Sequence, residues 1–317
     1  MIKAILLFAL GLVFLIKGGD WFVYGAVSLA QKMKIPEFII GATVVSIGTT
    51  LPEVMVSATS AMTGHGEIAY GNAIGSVICN TALIAALTIA IKPGKASRQA
   101  VIRPAAFFLT AALIYCYAAY VTGTYNRVTG IILLTLFVAY MLSLIFFPIP
   151  GDEEEEDASD GFGFKHIAAF VAGAALIAVG ADLLVDNGTI IARELGVPES
   201  VIGLTFVALG TSLPELVTAI TSLVKGHSNL SLGNIVGANL FNLVLVSGLS
   251  ITLSPFALPQ SKLIGGMNAS LVLDIPVMLL VMAILILPAV IKEKLTRIQG
   301  IALLTIYTAF IALQFFI

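Results

Sequence analysis

Two glutamates stand where a charge is hardest to accommodate. Glu53 and Glu215 fall near the middle of two long apolar runs, each directly after a proline, in the segments GTTLPE and GTSLPE. A carboxylate at the centre of a bilayer costs several kcal/mol on insertion scales, so it faces a cavity or a partner. Neither run holds a basic residue at comparable depth. Proline lacks an amide hydrogen and crowds the carbonyl four residues back. Pro52 and Pro214 therefore predict carbonyls near Ser46–Gly48 and Ala208–Gly210 without helical partners, and Gly48 and Gly210 permit unwinding there. The carbonyls from Ser46 and Ala208 onward, the hydroxyls of Thr49, Thr50, Thr211 and Ser212, and the two carboxylates make an all-oxygen environment. Hard cations want such ligands; the thiolate or imidazole that suits zinc or copper is missing.

Two further runs add amides and a hydroxyl. They read GNAIGSVICN (71–80) and GNIVGANLFN (233–242). Asn72, Ser76 and Asn80 are spaced four apart and share one helical face, as do Asn234 and Asn242. The asparagine side-chain carbonyls and the Ser76 hydroxyl could coordinate a cation or tie helices together, and spacing alone leaves both open. Gly71, Gly75, Gly233 and Gly237 let neighbouring backbones approach closely. Charge counting favours exchange over a channel. Two ionised glutamates make a site of −2 that resists crossing an apolar barrier empty, whereas one divalent cation neutralises it.

The elements that must hold these groups are membrane helices. Of 317 residues, 59% are hydrophobic and only 11% charged, with a mean hydropathy of +1.05. A soluble domain is about one-quarter charged, so a soluble enzyme, a secreted disulfide scaffold and a nucleic-acid binder are excluded. Apolar runs fall at 2–30, 37–63, 68–91, 101–122, 128–147, 165–192, 199–224, 230–253, 264–289 and 298–316. A spanning helix takes roughly 20 apolar residues, and a barrel would show short alternating segments instead. The fold class is thus an all-α polytopic membrane protein of ten transmembrane helices. The first run is too long for a signal peptide and carries Lys17 and Asp20 without a cleavage pattern. Cys79 and Cys116 lie inside apolar runs and read as packing residues.

Eleven Lys and Arg residues fall in connections after odd-numbered runs, against four (Lys3, Arg127, Arg193 and Lys262) on the other side. The excess marks the cytoplasm and places both termini outside in the cell membrane. Between the fifth and sixth runs, Asp152, Glu153, Glu154, Glu155, Glu156, Asp157 and Asp160 form an acidic stretch. A block of like charge reads as a solvated linker, here cytoplasmic and spanning 148–164. It lacks the alternating ligands and turn glycine of a calcium loop.

The linker separates two halves, 1–147 and 165–317, that align at a constant offset across the motifs. GATVVSIGTTLPE (41–53) matches GLTFVALGTSLPE (203–215), and from Gly18 to Asn80 about 23 of 63 columns are identical. Five helices per half force the second half in upside down. Inverted repeats recur in secondary transporters, with ion sites at interrupted helices near the midplane.

These duplicated motifs resemble the two alpha repeats of the cation/calcium exchanger superfamily, most of all the prokaryotic sodium/calcium exchangers. The resemblance implies sodium and calcium competing for overlapping sites among helices two, three, seven and eight. By position, calcium takes the carboxylates of Glu53 and Glu215 and the backbone carbonyls of Thr49 and Thr211. Sodium draws on those glutamates with Thr49, Ser76, Thr211, Ser212 and neighbouring carbonyls. Helices one and six are implied to slide as a gate. Asn242 stands where potassium-dependent members carry aspartate, which argues against potassium dependence. Ala238 replaces the serine expected opposite Ser76, and Gly75 replaces the acid of proton-coupled members.

The expectation is therefore an electrogenic sodium/calcium antiporter exchanging three sodium ions per calcium, sufficient as a monomer and needing no cofactor. A proton- or other-cation-coupled antiporter is the alternative, followed by a cation channel. An intramembrane hydrolase would need a nucleophile–base pair, and neither His nor Lys lies at the depth of Glu53. Asp20 and Asp182 either guide ions or bond helices, and Asp274 reads as structural. His65 and His227 follow glycines at helix ends and read as caps.

Overall fold

The computed structural model describes residues 1–147, 163–195, 210–260 and 262–316. Helices dominate it: α1 (Ile2–Met33), α2 (Glu37–Met62), α3 (Gly66–Ile91), α4 (Arg98–Thr122), α5 (Arg127–Phe146), α6 (Phe164–Glu194), α7 (Leu213–Val224), α8 (Ser228–Leu253), α9 (Ser270–Ile291) and α10 (Arg297–Phe316). Among the described residues, nine of these are long and apolar enough to cross a membrane. The tenth, α7, is described only from Leu213; positions 199–209 of its run, and most of the acidic linker, lie outside the described residues. Among the described residues, three short antiparallel pairings decorate the connections. They join β1 (Gly94–Lys95) to β6 (Lys294–Leu295), β2 (Thr124–Tyr125) to β3 (Phe256–Ala257), and β4 (Leu263–Ile264) to β5 (Met267–Asn268).

Helix ends follow the duplicated Gly-His pairs. Gly64 and Gly226 adopt φ of 84° and 93°, which glycine reaches without a Cβ penalty. His65 N–H then donates to the Ser60 carbonyl and His227 N–H to that of Ser222, both at 2.8 Å. Each is the six-to-one hydrogen bond that closes a helix past a left-handed residue. The side chains then differ: His65 Nδ1 lies 3.2 Å from Thr63 Oγ1 within its own turn, whereas His227 Nδ1 lies 2.7 Å from Glu37 Oε1 at the start of α2.

One expectation is corrected. Gly48 does not unwind α2, which stays α-helical from Ser46 through Met62 with Pro52 inside it. A single missing donor is tolerated when both flanking turns are packed, so the deviation falls elsewhere. The wide turn of α2 is π-helical and covers Gly41–Val45. In the second half Thr211 and Ser212 do form a turn, immediately before α7.

The chain divides into two compact units that cut across the repeat boundary. The first comprises Met1–Thr49 and Pro150–Asn234. Its centre is the antiparallel pair α1 and α6, zipped by glycines at heptad spacing. Gly11 meets Gly180, Gly18 meets Gly173, and Gly25 meets His166 and Phe170. A Cβ on Gly18 would lie 2.9 Å from the Gly173 carbonyl oxygen, so no larger residue fits. Phe22 stacks on Phe170 at 4.5 Å beside this seam, within a core that includes Leu15, Val23, Ile40 and Ile177.

The second unit comprises Thr50–Ile149 and Ile235–Ile317, and it carries the duplication in its packing. α5 of the first half lies on α8 of the second, while α10 of the second lies on α3 of the first. Arg127 Nε donates to the Thr252 carbonyl at the end of α8, at 3.0 Å. Arg297 Nε donates to the Ala90 carbonyl at the end of α3, at 2.9 Å. Gly130 nests on Gly248 and Thr252, and Gly300 on Ala86 and Ala90. Leu258 N–H bonds the Gly123 carbonyl, as Ala96 N–H bonds that of Glu293, both at 3.0 Å. Each half finishes its packing on the other.

The close glycine contacts make a stability prediction. A Cβ at Gly300 would lie 2.7 Å from the Ala86 carbonyl oxygen, whereas one at Gly94 would meet open space. Gly300→Val should destabilise the protein by about 1–3 kcal/mol, read as a lower unfolding temperature in detergent, with Gly94→Ala near parent. Equal unfolding temperatures for Gly300→Val and parent would remove the packing account.

Candidate functional site

The α2 face that carries the first glutamate is built from oxygen. Ser46, Thr50, Glu53 and Ser57 recur at intervals of four, three and four, one side of a helix, and each is 0% exposed. Thr49, beside them, is also buried. In the first unit, Ser46 Oγ lies 2.7 Å from the Gly41 carbonyl oxygen and 2.9 Å from that of Asn234. Thr49 Oγ1 lies 3.2 Å from Asn234 Oδ1. Gly41 makes this possible: an added Cβ would sit 2.5 Å from the Leu230 carbonyl oxygen on α8. Asn234 thereby acts as the strut between α8 and the start of α2.

In the second unit Asn72 does the same work for the other end of α2. Its Nδ2 donates to Ser57 Oγ at 2.8 Å and to the Glu53 backbone carbonyl at 3.2 Å. The helix-tying reading therefore fits Asn72 and Asn234.

In the first unit, Ser212 at the N-terminal end of α7 and Glu215, Thr218 and Ser222 on it are buried, with Glu215 at 0% exposure. Thr211 is half-buried in the preceding turn, and Ala208 lies outside the described residues. The hydroxyl oxygens of Ser212, Thr218 and Ser222 have no hydrogen-bond partner among the described residues.

α3 and α8 bring Ser76, Asn80 and Asn242, all buried, into the second unit. Neither amide atom of Asn80 has a partner among the described residues. Asn242 Nδ2 donates to the Ala238 carbonyl at 3.0 Å, leaving its Oδ1 unpaired there. Both asparagines open π-helical turns, Asn80–Ala85 and Asn242–Val246, at equivalent places in the two repeats. Such turns insert an extra residue and displace carbonyls from their regular partners; they are frequent at functional sites. Ser247 Oγ closes one of them by donating to the Asn242 carbonyl at 3.0 Å.

Sequence reasoning missed Ser57, Thr218 and Ser222, although Ser57 stands one turn beyond Glu53 on the same face. It also missed Asn239, whose Nδ2 donates to Thr81 Oγ1 at 2.8 Å. Two charged residues outside this set find structural partners. Asp20 pairs with Lys225 at 2.9 Å, and Asp274, in the first turn of α9, accepts from Gln314 Nε2 at 2.9 Å. Asp182 is exposed, Cys79 Sγ accepts from the Tyr307 hydroxyl at 3.8 Å, and neither Cys79 nor Cys116 is in a disulfide among the described residues.

The family described as Sodium/calcium exchanger protein matches residues 3–146 and 165–316. The putative antiporter CaxA of Alkalimonas amylolytica is 32% identical, over 99% of this chain and 98% of its own. The sodium/calcium exchanger MaX1 of Methanosarcina acetivorans is 30% identical, over 98% of each. Among solved structures, the sodium-calcium exchanger NCX_Mj, soaked with sodium and strontium, superposes with a TM-score of 0.81. It is 30% identical, and 98% of each chain is covered.

The Asn72 strut can be separated from ion binding. Asn72→Ala removes two hydrogen bonds and should cost about 1–2 kcal/mol, lowering the unfolding temperature in detergent while calcium and sodium affinities hold. A parent-like unfolding temperature with lost ion affinity would instead make Asn72 a ligand.

Proposed function

Because this chain belongs to the sodium/calcium exchanger protein family, a multi-pass membrane family of ion exchangers and not of enzymes, we propose that it exchanges sodium for calcium across the cell membrane. The observation that carries the reading is the pair of repeat-equivalent glutamates, Glu53 and Glu215, each fully buried on a helix face otherwise lined by hydroxyls. Calcium takes about six to eight oxygens. Two bidentate carboxylates, the backbone carbonyls of Thr49 and Thr211 and one or two waters reach that number. Sodium would use the same carboxylates with Thr49, Ser76, Thr211, Ser212 and the carbonyls of Ser46 and Ala208. Thr50, Asn80 and Asn242 complete the polar lining. Calcium and sodium are the cargo, the bilayer is a further partner, and a monomer without cofactor suffices. Both termini face outward and 148–164 faces the cytoplasm.

Coupling follows from charge. Empty, the two carboxylates carry −2 and are held at the water-accessible side where they were unloaded. One calcium brings the site to zero and lets it change sides. Asn242 is a neutral amide, so it leaves this count at two. Three sodium ions bring the same site to +1, and that half-cycle moves a charge through the membrane field. Each charge is worth about 2.3 kcal/mol per 100 mV. An inside-negative potential therefore drives sodium in and calcium out.

Calcium uptake into vesicles under an imposed sodium gradient tests the site. Glu53→Gln and Glu215→Gln should each reduce uptake to background, while the parent keeps its flux when a proton uncoupler is present. Full sodium-driven flux in either variant would remove the glutamates from the mechanism, and loss of parental flux to the uncoupler would replace sodium with protons. In the same vesicles, clamping the potential with potassium and an ionophore should shift the end point of calcium uptake. A voltage-independent end point would mean two sodium ions per calcium.

A further inference from the structure

The duplication supplies an internal control for the charges on the connections of the second unit. β1–β6 and β2–β3 are the same device twice: a paired connection, an arginine capping a helix end and one more backbone hydrogen bond. Their side chains differ sharply. Around β1–β6 stand Lys92, Lys95, Arg98, Lys292 and Lys294, all exposed. The equivalent places around β2–β3 hold Ser254, Ala257, Gln260, Thr122 and Thr124, all uncharged. Only the capping arginines, Arg297 and Arg127, are common to both. The fold therefore forms without the five cations.

The register makes the cluster costly on its own. Lys95 lies directly opposite Lys294 across the strand pair. Residues so placed share a face, and like charges there destabilise the pairing. Glu293, between Lys292 and Lys294 in the sequence, forms no ion pair with the lysines of the cluster among the described residues. Its carboxylate instead lies 3.5 Å from the Arg98 backbone N–H. The cluster is short of an anion. It also sits where four membrane helices end, those of α3 and α9 and the starts of α4 and α10, with Ile291 and Ile298 exposed at 72% and 81% beside it. These apolar side chains and the lysines meet the two layers of a lipid at once.

We propose that the β1–β6 platform binds the headgroup of an anionic phospholipid, with Lys95 and Lys294 as its central contacts. The phosphate sits between the two lysines and offsets their repulsion, and Lys92, Arg98 and Lys292 extend the positive surface around it. The β2–β3 platform binds no such lipid.

The test uses the full chain in phosphatidylcholine vesicles, with Trp21→Phe to remove the native tryptophan. Ile291→Trp then reports on the basic platform and Val121→Trp on its neutral counterpart. Quenching is compared between brominated phosphatidylglycerol and brominated phosphatidylcholine at equal mole fraction in both leaflets. The expected result is a preference of about threefold or more for the anionic lipid at position 291, and none at 121. Lys95→Gln with Lys294→Gln should bring the ratio at 291 to about one, as should Lys92→Gln with Lys292→Gln if the first pair fails to assemble. A ratio of one in the parent, or a preference that survives neutralisation, would overturn the proposal. Millimolar inorganic phosphate that abolishes the preference would also overturn it, since the anion would then be soluble. Calcium flux in the same vesicles keeps the exchange reading separate, because quenching needs no transport.

Discussion

A carboxylate inside a membrane has to be made tolerable at every moment of the protein's life, and much of this structure follows from that requirement. Glu53 and Glu215 are each removed from solvent, and each lies on a helix face whose other members carry hydroxyls. Among the described residues, most of the buried polar side chains lie on α2, α3, α7 and α8. The outward surfaces of the long helices remain apolar. The same requirement explains why the helices are tied by asparagines. Asn72 and Asn234 satisfy the hydroxyls and carbonyls of α2 from outside the helix, so its oxygen-rich face is held without adding charge.

Glycine and asparagine divide the remaining labour. Glycines at Gly41 and Gly233 allow α2 and α8 to cross closely, and a Cβ at either would strike backbone. Once backbones are that near, the short side chains of Ser46, Thr49 and Asn234 can reach one another. The π-helical turns opened by Asn80 and Asn242 act on a different scale. By adding a residue to a turn they change which side chains face inward on either side of it, without breaking the helix. Ser247 shows how the displaced carbonyl is then satisfied.

What could be read from the residues was what is written locally or twice. The glutamates, the helix stops at Gly64-His65 and Gly226-His227 and the two halves all rest on short segments repeated along the chain. The expectation that the helix would unwind at Gly48 was too local: Pro52 is carried inside an unbroken helix, with no amide hydrogen to offer the Gly48 carbonyl, and the wide turn lies at Gly41–Val45 instead. The role of Asn72 stayed open because spacing places it on the correct face but does not reveal Ser57 as its partner. The paired connections and the arginine caps were invisible for a related reason. Arg297 is an ordinary basic residue at a helix start until Ala90, far away in the chain, presents its carbonyl.

The interlocked packing of the second unit has a consequence for the history of such a chain. The fifth helix of each half rests on the third helix of the other, and each capping arginine closes a helix that its own half does not complete. A gene encoding one half would make a product whose glycine-lined helix has nothing of its own to lie on. Such a product could become stable by meeting a second copy inserted in the opposite sense. Joining the two copies end to end would fix their ratio and their relative orientation, after which each could drift separately. Lys95 and Ala257, equivalent places with unlike charge, are what that freedom leaves behind.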